Sequence, residues 1–371
     1  MDTILLISPE PWSAHSVSKH HYALELVRRG YEVLFFGPPI NSGPVVIEPV
    51  ERDGMKLRLI HAGRLVPGLR LLPAFLRRWL ERQWLKKIER LARCRIGTIW
   101  LFENSRFYDL RFAGQRLKIY HQVDLNQDFH PATAAATADI CFCTSDFIRE
   151  RLAPHNPRVF KIHHGTAQPQ TPLSLTAAQQ QNFDHAGAQA AYIGNLDMAY
   201  LDAELLTRAI RAFPQERFHL VGSYSRSGSL WQLAGELPNV VWWGKLDSCL
   251  IPSVLERADV LLVTYQADRW RDQSSPHKFM EYLASGKTIV ATYTDEYKDK
   301  RHLLEMVDES RNFVPALERV LAHLDQYNSP QRQAERRAFA AENSYARQYE
   351  KIFLLLTAHG LSEPLKPADL V

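Results

Sequence analysis

The chain has 371 residues, 46% hydrophobic and 23% charged, the profile of a globular protein long enough for two cores of ordinary size. With no run of about 18 apolar residues, a spanning helix is excluded; MDTILLISPEPW reads as a charged start and one short strand, not a signal peptide, so a cytoplasmic location is expected. The net charge of +4 divides unevenly: residues 1–163 hold 24 Lys and Arg against 16 Asp and Glu, and residues 164–371 hold 21 against 25. A basic bias of that size on the first half points to an anionic partner there and is too small to imply nucleic acid. Cys94, Cys141, Cys143 and Cys249 lack metal spacing and read as buried free thiols, with Cys141 and Cys143 on one side of a strand.

The predicted elements open with a strand at Thr3–Ile7, a helix at Val17–Arg29 ended by Gly30, and a strand at Glu32–Gly37, which together form a βαβ unit. The joining loop SPEPWSAHSVS has none of the three glycines of a dinucleotide fingerprint, which argues against a hydride-transferring dehydrogenase. It offers Trp12, His15, Ser16 and Lys19 instead.

Residues 64–95 carry ten Lys or Arg against Glu81 and Glu89, with Leu72, Phe75, Leu76, Trp79, Leu80, Trp84, Ile88 and Leu91 at helical spacing. This basic amphipathic helix admits two readings: attachment to anionic phospholipid headgroups, with Trp and Leu entering the interface, or packing on the domain core with a solvated cationic face.

Strands at Thr98–Phe102 and Leu117–Val123 lead into HQVDLNQDFH, where His121, Asp124, Asp128 and His130 cluster. Ligands of open α/β sheets bind beyond the carboxyl ends of strands, so His121 and Asp124 are candidates for an acid–base or orienting role. The alternative is loop carboxylates that cap the next helix. No pair has the spacing of a helical metal motif, and no metal is expected.

A strand and helix over ADICFCTSDFIRERL and a strand in VFKIHHGT complete the first domain, and the Gln-, Thr- and Pro-rich residues 166–187 read as a linker. The domains are expected at 1–165 and 166–345, with 346–371 as a final helix and tail. Strands follow at Ala190–Ile193, Phe218–Val221, Val240–Trp243 and Val260–Thr264; three end at Gly194, Gly222 and Gly244, where backbone can approach a ligand closely, and Asn195 adjoins the first.

The stretch QSSPHKFMEYLASGKTIVAT, Gln273–Thr292, has Ser275 as helix N-cap, Pro276 in the first turn and Gly286 as terminator. Free N–H groups, the positive end of the helix dipole and Lys278 favour a phosphate there. Glu281 lies one turn deeper on the same stripe as Lys278 and suits the vicinal diol of a ribose. Arg269 and Arg271 could reach phosphates or be solvated.

Ser-Pro-x-Lys-x-x-Glu-Tyr-Leu-Ala-x-Gly-Lys-x-Ile-Val-Ala-Thr resembles the donor-binding helix of GT-B fold glycosyltransferases of the bacterial family-4-like type, the glycosyl transferases group 1. The resemblance implies an α/β GT-B fold of two Rossmann-like domains facing a cleft, a nucleotide-sugar-binding second domain and a final helix crossing back to the first. It implies donor contacts from Gln273, Ser274, Ser275, Pro276, His277, Lys278 and Glu281, with Gln273 where the family often has a first glutamate, so retaining and inverting chemistry both stay open. Tyr120 and Asp124 match a Tyr-Asp strand end of related transferases, with His121 in place of the next Asp, and His164 stands at an Asn position. Paired glycines common in the first loop are absent; His15, Ser16 and Lys19 would lie on the acceptor side. The implied activity is transfer of a sugar from a nucleotide-diphosphate sugar to a glycan or lipid-linked acceptor, without metal or cofactor. A nucleotide-sugar epimerase and a non-catalytic nucleotide-binding scaffold are the alternatives.

Overall fold

The computed structural model describes residues 3–13, 17–39, 43–63, 68–125, 129–167, 173–267 and 278–361. They fall into two compact units, residues 1–164 with 345–371 and residues 165–344.

Unit 1 holds strands β1 (Thr3–Ile7), β2 (Glu32–Phe36), β3 (Val46–Arg52), β4 (Met55–His61), β5 (Ile96–Leu101), β6 (Leu117–Gln122), β7 (Ile140–Cys143) and β8 (Val159–Lys161). Their order is β3-β4-β2-β1-β5-β6-β7-β8. All neighbours are parallel except β3 and β4, a hairpin turned at Asp53 and Gly54, both at positive φ. Helices α1 (Ser18–Arg28), α2 (Ala74–Ala92), α3 (Pro131–Thr137), α4 (Asp146–Leu152) and the last helix, Tyr345–Ala358, cover the sheet. Strand alternation divides the core. Leu5 and Ile7 meet Trp84, Leu85 and Ile88 of α2 on one face, while Ile4 and Leu6 meet Tyr22 and Leu26 of α1 and Tyr349, Ile352 and Phe353 of the last helix on the other. The last helix presents Tyr345, Tyr349, Ile352, Phe353 and Leu356 on one stripe, each apolar side chain adding about 1.5–3 kcal/mol by burial. A polar residue at Ile352, which is fully buried, would detach it.

Unit 2 holds β9 (Gln189–Ile193), β10 (Arg217–Val221), β11 (Val240–Gly244), β12 (Val260–Val263), β13 (Thr288–Thr292) and β14 (Glu305–Val307) in a parallel sheet of order β11-β10-β9-β12-β13-β14. Its helices are α5 (Ala177–Gln180), α6 (Ala203–Ala212), α7 (Ser229–Ala234), α8 (Ile251–Arg257), α9 (Lys278–Ser285), α10 (Phe313–Ala322), α11 (Leu324–Tyr327) and α12 (Pro330–Glu342). Asp202 caps α6 by accepting from the Leu205 N–H at 2.8 Å.

Both sheets are doubly wound. The strand order reverses between β1 and β5 in unit 1 and between β9 and β12 in unit 2, and at such a switch point the loops beyond the carboxyl ends part to leave a crevice. The structure therefore marks one place in each unit where chemistry is to be sought.

Candidate functional site

In unit 2, the carboxyl ends of β9, β10 and β11 turn at glycines. Gly194 lies at φ +152, Gly222 at +143 and Gly244 at +67. The Gly194 N–H donates to Val221 O and the Gly222 N–H to Gly244 O, both at 2.9 Å, so the three turns are laced together. A Cβ on Gly222 would fall 1.7 Å from Gly194 O, and one on Gly194 would fall 2.8 Å from Lys278 Nζ. Glycine is required by close approach as well as by conformation. Asn195, exposed beside Gly194, accepts from the Asp197 N–H at 3.0 Å through its side-chain oxygen.

Lys278, the first residue of α9, aims its ammonium at this switch point. Nζ lies 3.9 Å from the ring centroid of Tyr192 at the end of β9 and 5.2 Å from that of Tyr265, just past β12. The α9 helix is fixed there by Tyr282, whose hydroxyl accepts from the Ile193 N–H at 2.8 Å, while Phe279 stacks on Tyr297 with centroids 4.4 Å apart. Burial pushes the Lys278 pKa down to about 7, only partly offset by Glu281. Among the described residues no carboxylate lies within ion-pair distance of it. Aromatic faces compensate a cation weakly, so an incoming anion gains the full interaction. Glu281 is exposed one turn further along α9.

The carboxyl end of α9 is held by α12. Arg336, fully buried, donates to Leu303 O at 2.9 Å, Gly286 O at 3.0 Å and Tyr327 O at 2.9 Å. Gln273, Ser274, Ser275, Pro276 and His277, with Arg269 and Arg271, lie outside the described residues, as do His15, Ser16 and Asp128.

In unit 1, the first turn of α1 brings Lys19 under the loop after β1. Only 2% of its side chain is exposed, and Nζ stands 3.1 Å from Glu10 Oε1 and 3.6 Å from Asp124 Oδ2. Asp124 follows β6 with 44% of its side chain exposed. Lys19, expected to meet acceptor, is enclosed between two carboxylates instead. The neighbouring loops are tied down: Arg106 donates to Ser8 O at 3.1 Å and Gly37 O at 3.2 Å, and His20 bridges the Val17 N–H at 3.1 Å and Pro11 O at 2.9 Å. Burial pushes His20 down to about 4.

His121 requires a correction. Its side chain is fully buried between Phe102, Trp100 and Tyr22, with centroid distances of 4.9, 6.1 and 5.3 Å, and neither ring nitrogen has a partner among the described residues. Loss of water holds its pKa well below the ordinary range, so it stays neutral in the core and does not reach solvent for acid–base work. The cause is strand parity: Tyr120 and Gln122 point to one side of β6, His121 to the other, under α1. His164 is likewise buried, its Nδ1 2.9 Å from Ser18 Oγ.

The expected basic helix of residues 64–95 forms α2 over Ala74–Ala92, after a short 3-10 turn at Leu69–Leu71; residues 64–67 lie outside the described set. Trp84 is buried against Phe36 and Phe107 and is unavailable to an interface. Arg77 is buried too, donating to the Tyr108 hydroxyl and lying 3.3 Å from Asp109 and 3.8 Å from Glu81. Cys141 and Cys143 are buried free thiols, whereas Cys94 and Cys249 are half-buried, a correction to the expectation for those two. Among the described residues no group of three His, Cys, Asp or Glu is placed to hold a metal ion, and no helix is long and apolar enough to cross a membrane.

Sequence reasoning missed Glu10, Tyr192, Tyr265 and Tyr282. Glu10 stood in view in the SPEPW loop, whereas Tyr192 and Tyr265, which meet at Lys278, and Tyr282, which holds α9 to β9, have no shared spacing to announce them.

Residues 188–323, from β9 through α10, match the family model described as glycosyl transferases group 1. A Bacillus subtilis (strain 168) protein named as a teichuronic acid biosynthesis glycosyltransferase, TuaH, is 27% identical over 199 residues, 50% of this chain and 49% of that protein. The chain thus spans about half the length of that curated relative. Among solved structures, the sucrose-phosphate synthase of Thermosynechococcus elongatus aligns with TM-score 0.71 at 17% identity over 96% of this chain and 100% of that one. A trehalose-phosphate synthase from Burkholderia xenovorans in complex with glucose-6-phosphate aligns with TM-score 0.67 at 13% identity, covering 96% and 100%. An E. coli structure described as trehalose-6-phosphate bound with UDP-2-fluoro glucose aligns with TM-score 0.70 at 12% identity, covering 98% and 100%. At these identities the structural likeness speaks for the fold, the two-sheet architecture of these sugar-phosphate synthases, and the glycosyl transferases group 1 match stands for residues 188–323, from β9 through α10.

Proposed function

We propose that this chain transfers a glycosyl group from a nucleotide-diphosphate sugar to an acceptor hydroxyl, in bacterial polysaccharide or glycolipid assembly. The observation that carries the reading is the ammonium of Lys278, set against Tyr192 and Tyr265 beside the Gly194 turn at the switch point of unit 2. It is a desolvated cation next to backbone that only glycine leaves open, which is what a diphosphate needs. Glu281 takes the ribose diol. In transfer, the bond from the anomeric carbon to the diphosphate breaks with its electron pair leaving on phosphate, where Lys278 stabilises it. The acceptor oxygen bonds to that carbon and its proton passes to the half-exposed carboxylate of Asp124. Lys278 supplies the positive charge that a divalent ion provides elsewhere, so the reaction needs no metal or added cofactor. The relative's name, with its teichuronic acid biosynthesis, supports a glycan acceptor.

Calorimetric titration with nucleoside diphosphates tests the donor assignment. Each charge-assisted contact is worth about 1.5–3 kcal/mol, so Lys278→Ala and Glu281→Ala should each weaken binding about 10–150-fold. Unchanged affinity in both variants would remove the site. Turnover of donor only in the presence of an acceptor separates a transferase from an epimerase, and any turnover separates it from a scaffold.

The enzyme further works in the cytoplasm, peripherally on the inner face of the membrane, with α2 as its contact. Phe75 and Trp79, one turn apart on α2, are 69 and 54% exposed, Arg82, Lys86 and Arg90 continue their stripe exposed, and Leu71 of the preceding 3-10 turn is 89% exposed. An apolar end and a cationic end on one outward face suit an anionic lipid surface, each basic residue adding about 1 kcal/mol near it. Sedimentation with phosphatidylglycerol vesicles should show binding that falls with salt and is lost in Phe75→Ser/Trp79→Ser. Equal binding to neutral phosphatidylcholine vesicles, or none at low salt, would make a soluble acceptor the better account.

A further inference from the structure

Lys19 is the most enclosed cation among the described residues of unit 1, and it and its two partners come from three separate segments. Glu10 lies in the loop after β1, Lys19 in the first turn of α1 and Asp124 beyond β6, and the single ammonium stands 3.1 Å from one carboxylate and 3.6 Å from the other. A buried ion pair is weak evidence for stability, since removing charges from water costs as much as their attraction returns. Asp124 is also fixed from behind through its backbone. The side chain of Thr144 donates to Val123 O at 2.8 Å. Asn104 donates to the Tyr120 hydroxyl at 2.8 Å, Tyr120 to Gln122 Oε1 at 3.1 Å, and Gln122 to Asp124 O at 3.3 Å. A chain of buried side chains thus sets the backbone at Asp124, and Lys19 sets the one part left to rotate, its carboxylate.

We propose that Lys19 is a positioning residue for proton transfer at Asp124, with Glu10 as the second carboxylate that holds the ammonium in place. The inference rests on the reading of Asp124 as the base. The exposed oxygen of Asp124 accepts the acceptor's hydroxyl proton while the acceptor oxygen bonds to the anomeric carbon and the diphosphate departs with the bonding pair. Lys19 gives up no proton and touches no substrate. Its ammonium fixes the direction of the carboxylate and balances the negative charge of two carboxylates in one crevice. Glu10 shares the ammonium, at 3.1 Å against 3.6 Å for Asp124 Oδ2, and the ammonium's contact with that one oxygen leaves the other oxygen of Asp124 for the proton.

The test is a double-mutant cycle on turnover in the full chain, with an acceptor and a nucleotide sugar on which the wild type turns over. Lys19→Met should lower kcat about 10–100-fold, the range of a misplaced reacting group, with donor KM unchanged. Lys19→Arg, which keeps the cation, should recover part of that loss. Against an Asp124→Asn background, Lys19→Met should cost nothing more, because its effect passes through Asp124. Full activity of a folded Lys19→Met, or losses that multiply with Asp124→Asn, would overturn the positioning role. If Lys19→Met fails to fold, Glu10→Gln at the half-exposed end of the triad replaces it, with a smaller loss of kcat expected and again none in the Asp124→Asn background; a loss that persists there overturns the inference. Full turnover by Asp124→Asn alone would instead refute the reading of Asp124 as base, so the two failures are told apart.

Discussion

Each unit of this chain is a doubly wound parallel sheet, and each brings one enclosed lysine to its switch point, yet the two lysines have opposite surroundings. Lys19 stands between Glu10 and Asp124, whereas Lys278 faces the rings of Tyr192 and Tyr265. A cation already matched by two carboxylates has little left to offer an anion. A cation held against aromatic faces, its pKa pushed down to about 7 by burial, has nearly all of it left. On the proposed reading the same architecture serves a positioned carboxylate in unit 1 and an anion site in unit 2, and the difference lies in what surrounds the lysine.

The largest expected effect breaks the comparison on the carboxylate side. Asp124→Asn removes the proposed base and should lower kcat by ~10²–10⁴ while the affinity for nucleoside diphosphate, measured by calorimetry, stays as it was. A fall in donor affinity of the same size would show that the two lysine sites do not have separate roles. A smaller effect sharpens the description of unit 2. Gly222→Ala forces a Cβ to within 1.7 Å of Gly194 O at φ +143, while Gly244→Ala meets nothing within 4 Å at φ +67. Both carry the backbone strain of about 1–3 kcal/mol, and only the first adds a clash with the laced turns. Thermal unfolding should therefore place Gly222→Ala clearly below Gly244→Ala; equal midpoints would mean that the turns are not held as tightly as their hydrogen bonds imply.

Much of this architecture was legible in the sequence because strand runs and helix stops follow local rules. The βαβ opening, the strands ending at Gly194, Gly222 and Gly244 and the turn at Gly286 come from periodicity and from glycine at positive φ. The β3–β4 hairpin passed unnoticed, although Asp53-Gly54 between two alternating runs is a strong turn signal. The site was legible only in part. Spacing along α9 put Lys278 and Glu281 on one stripe, but contacts made through the fold, Tyr192 and Tyr265 on Lys278 or Glu10 on Lys19, leave no trace in a linear pattern. His121 shows the opposite failure. A histidine at a strand end reads as chemistry, and one step of strand parity turned it into the core.

The central claim, that Lys278 is the cation that meets the donor diphosphate, has a pH signature. Its folded pKa of about 7 lies below the ordinary lysine value of 10.5, so the unfolded chain binds more protons between those limits, and this residue's contribution to stability rises with pH across that window. A diphosphate needs the charged form, so affinity should be level below about pH 7 and fall above it, with a proton taken up on binding. Calorimetric titration of UDP at pH 6 and pH 8.5, each in two buffers of different ionisation heat, measures affinity and proton uptake together. The account predicts weaker binding and proton uptake at pH 8.5 in the wild type, and neither dependence in Lys278→Met. Binding by the wild type that is independent of pH and buffer over this range, or binding by Lys278→Met with unchanged affinity, would contradict it.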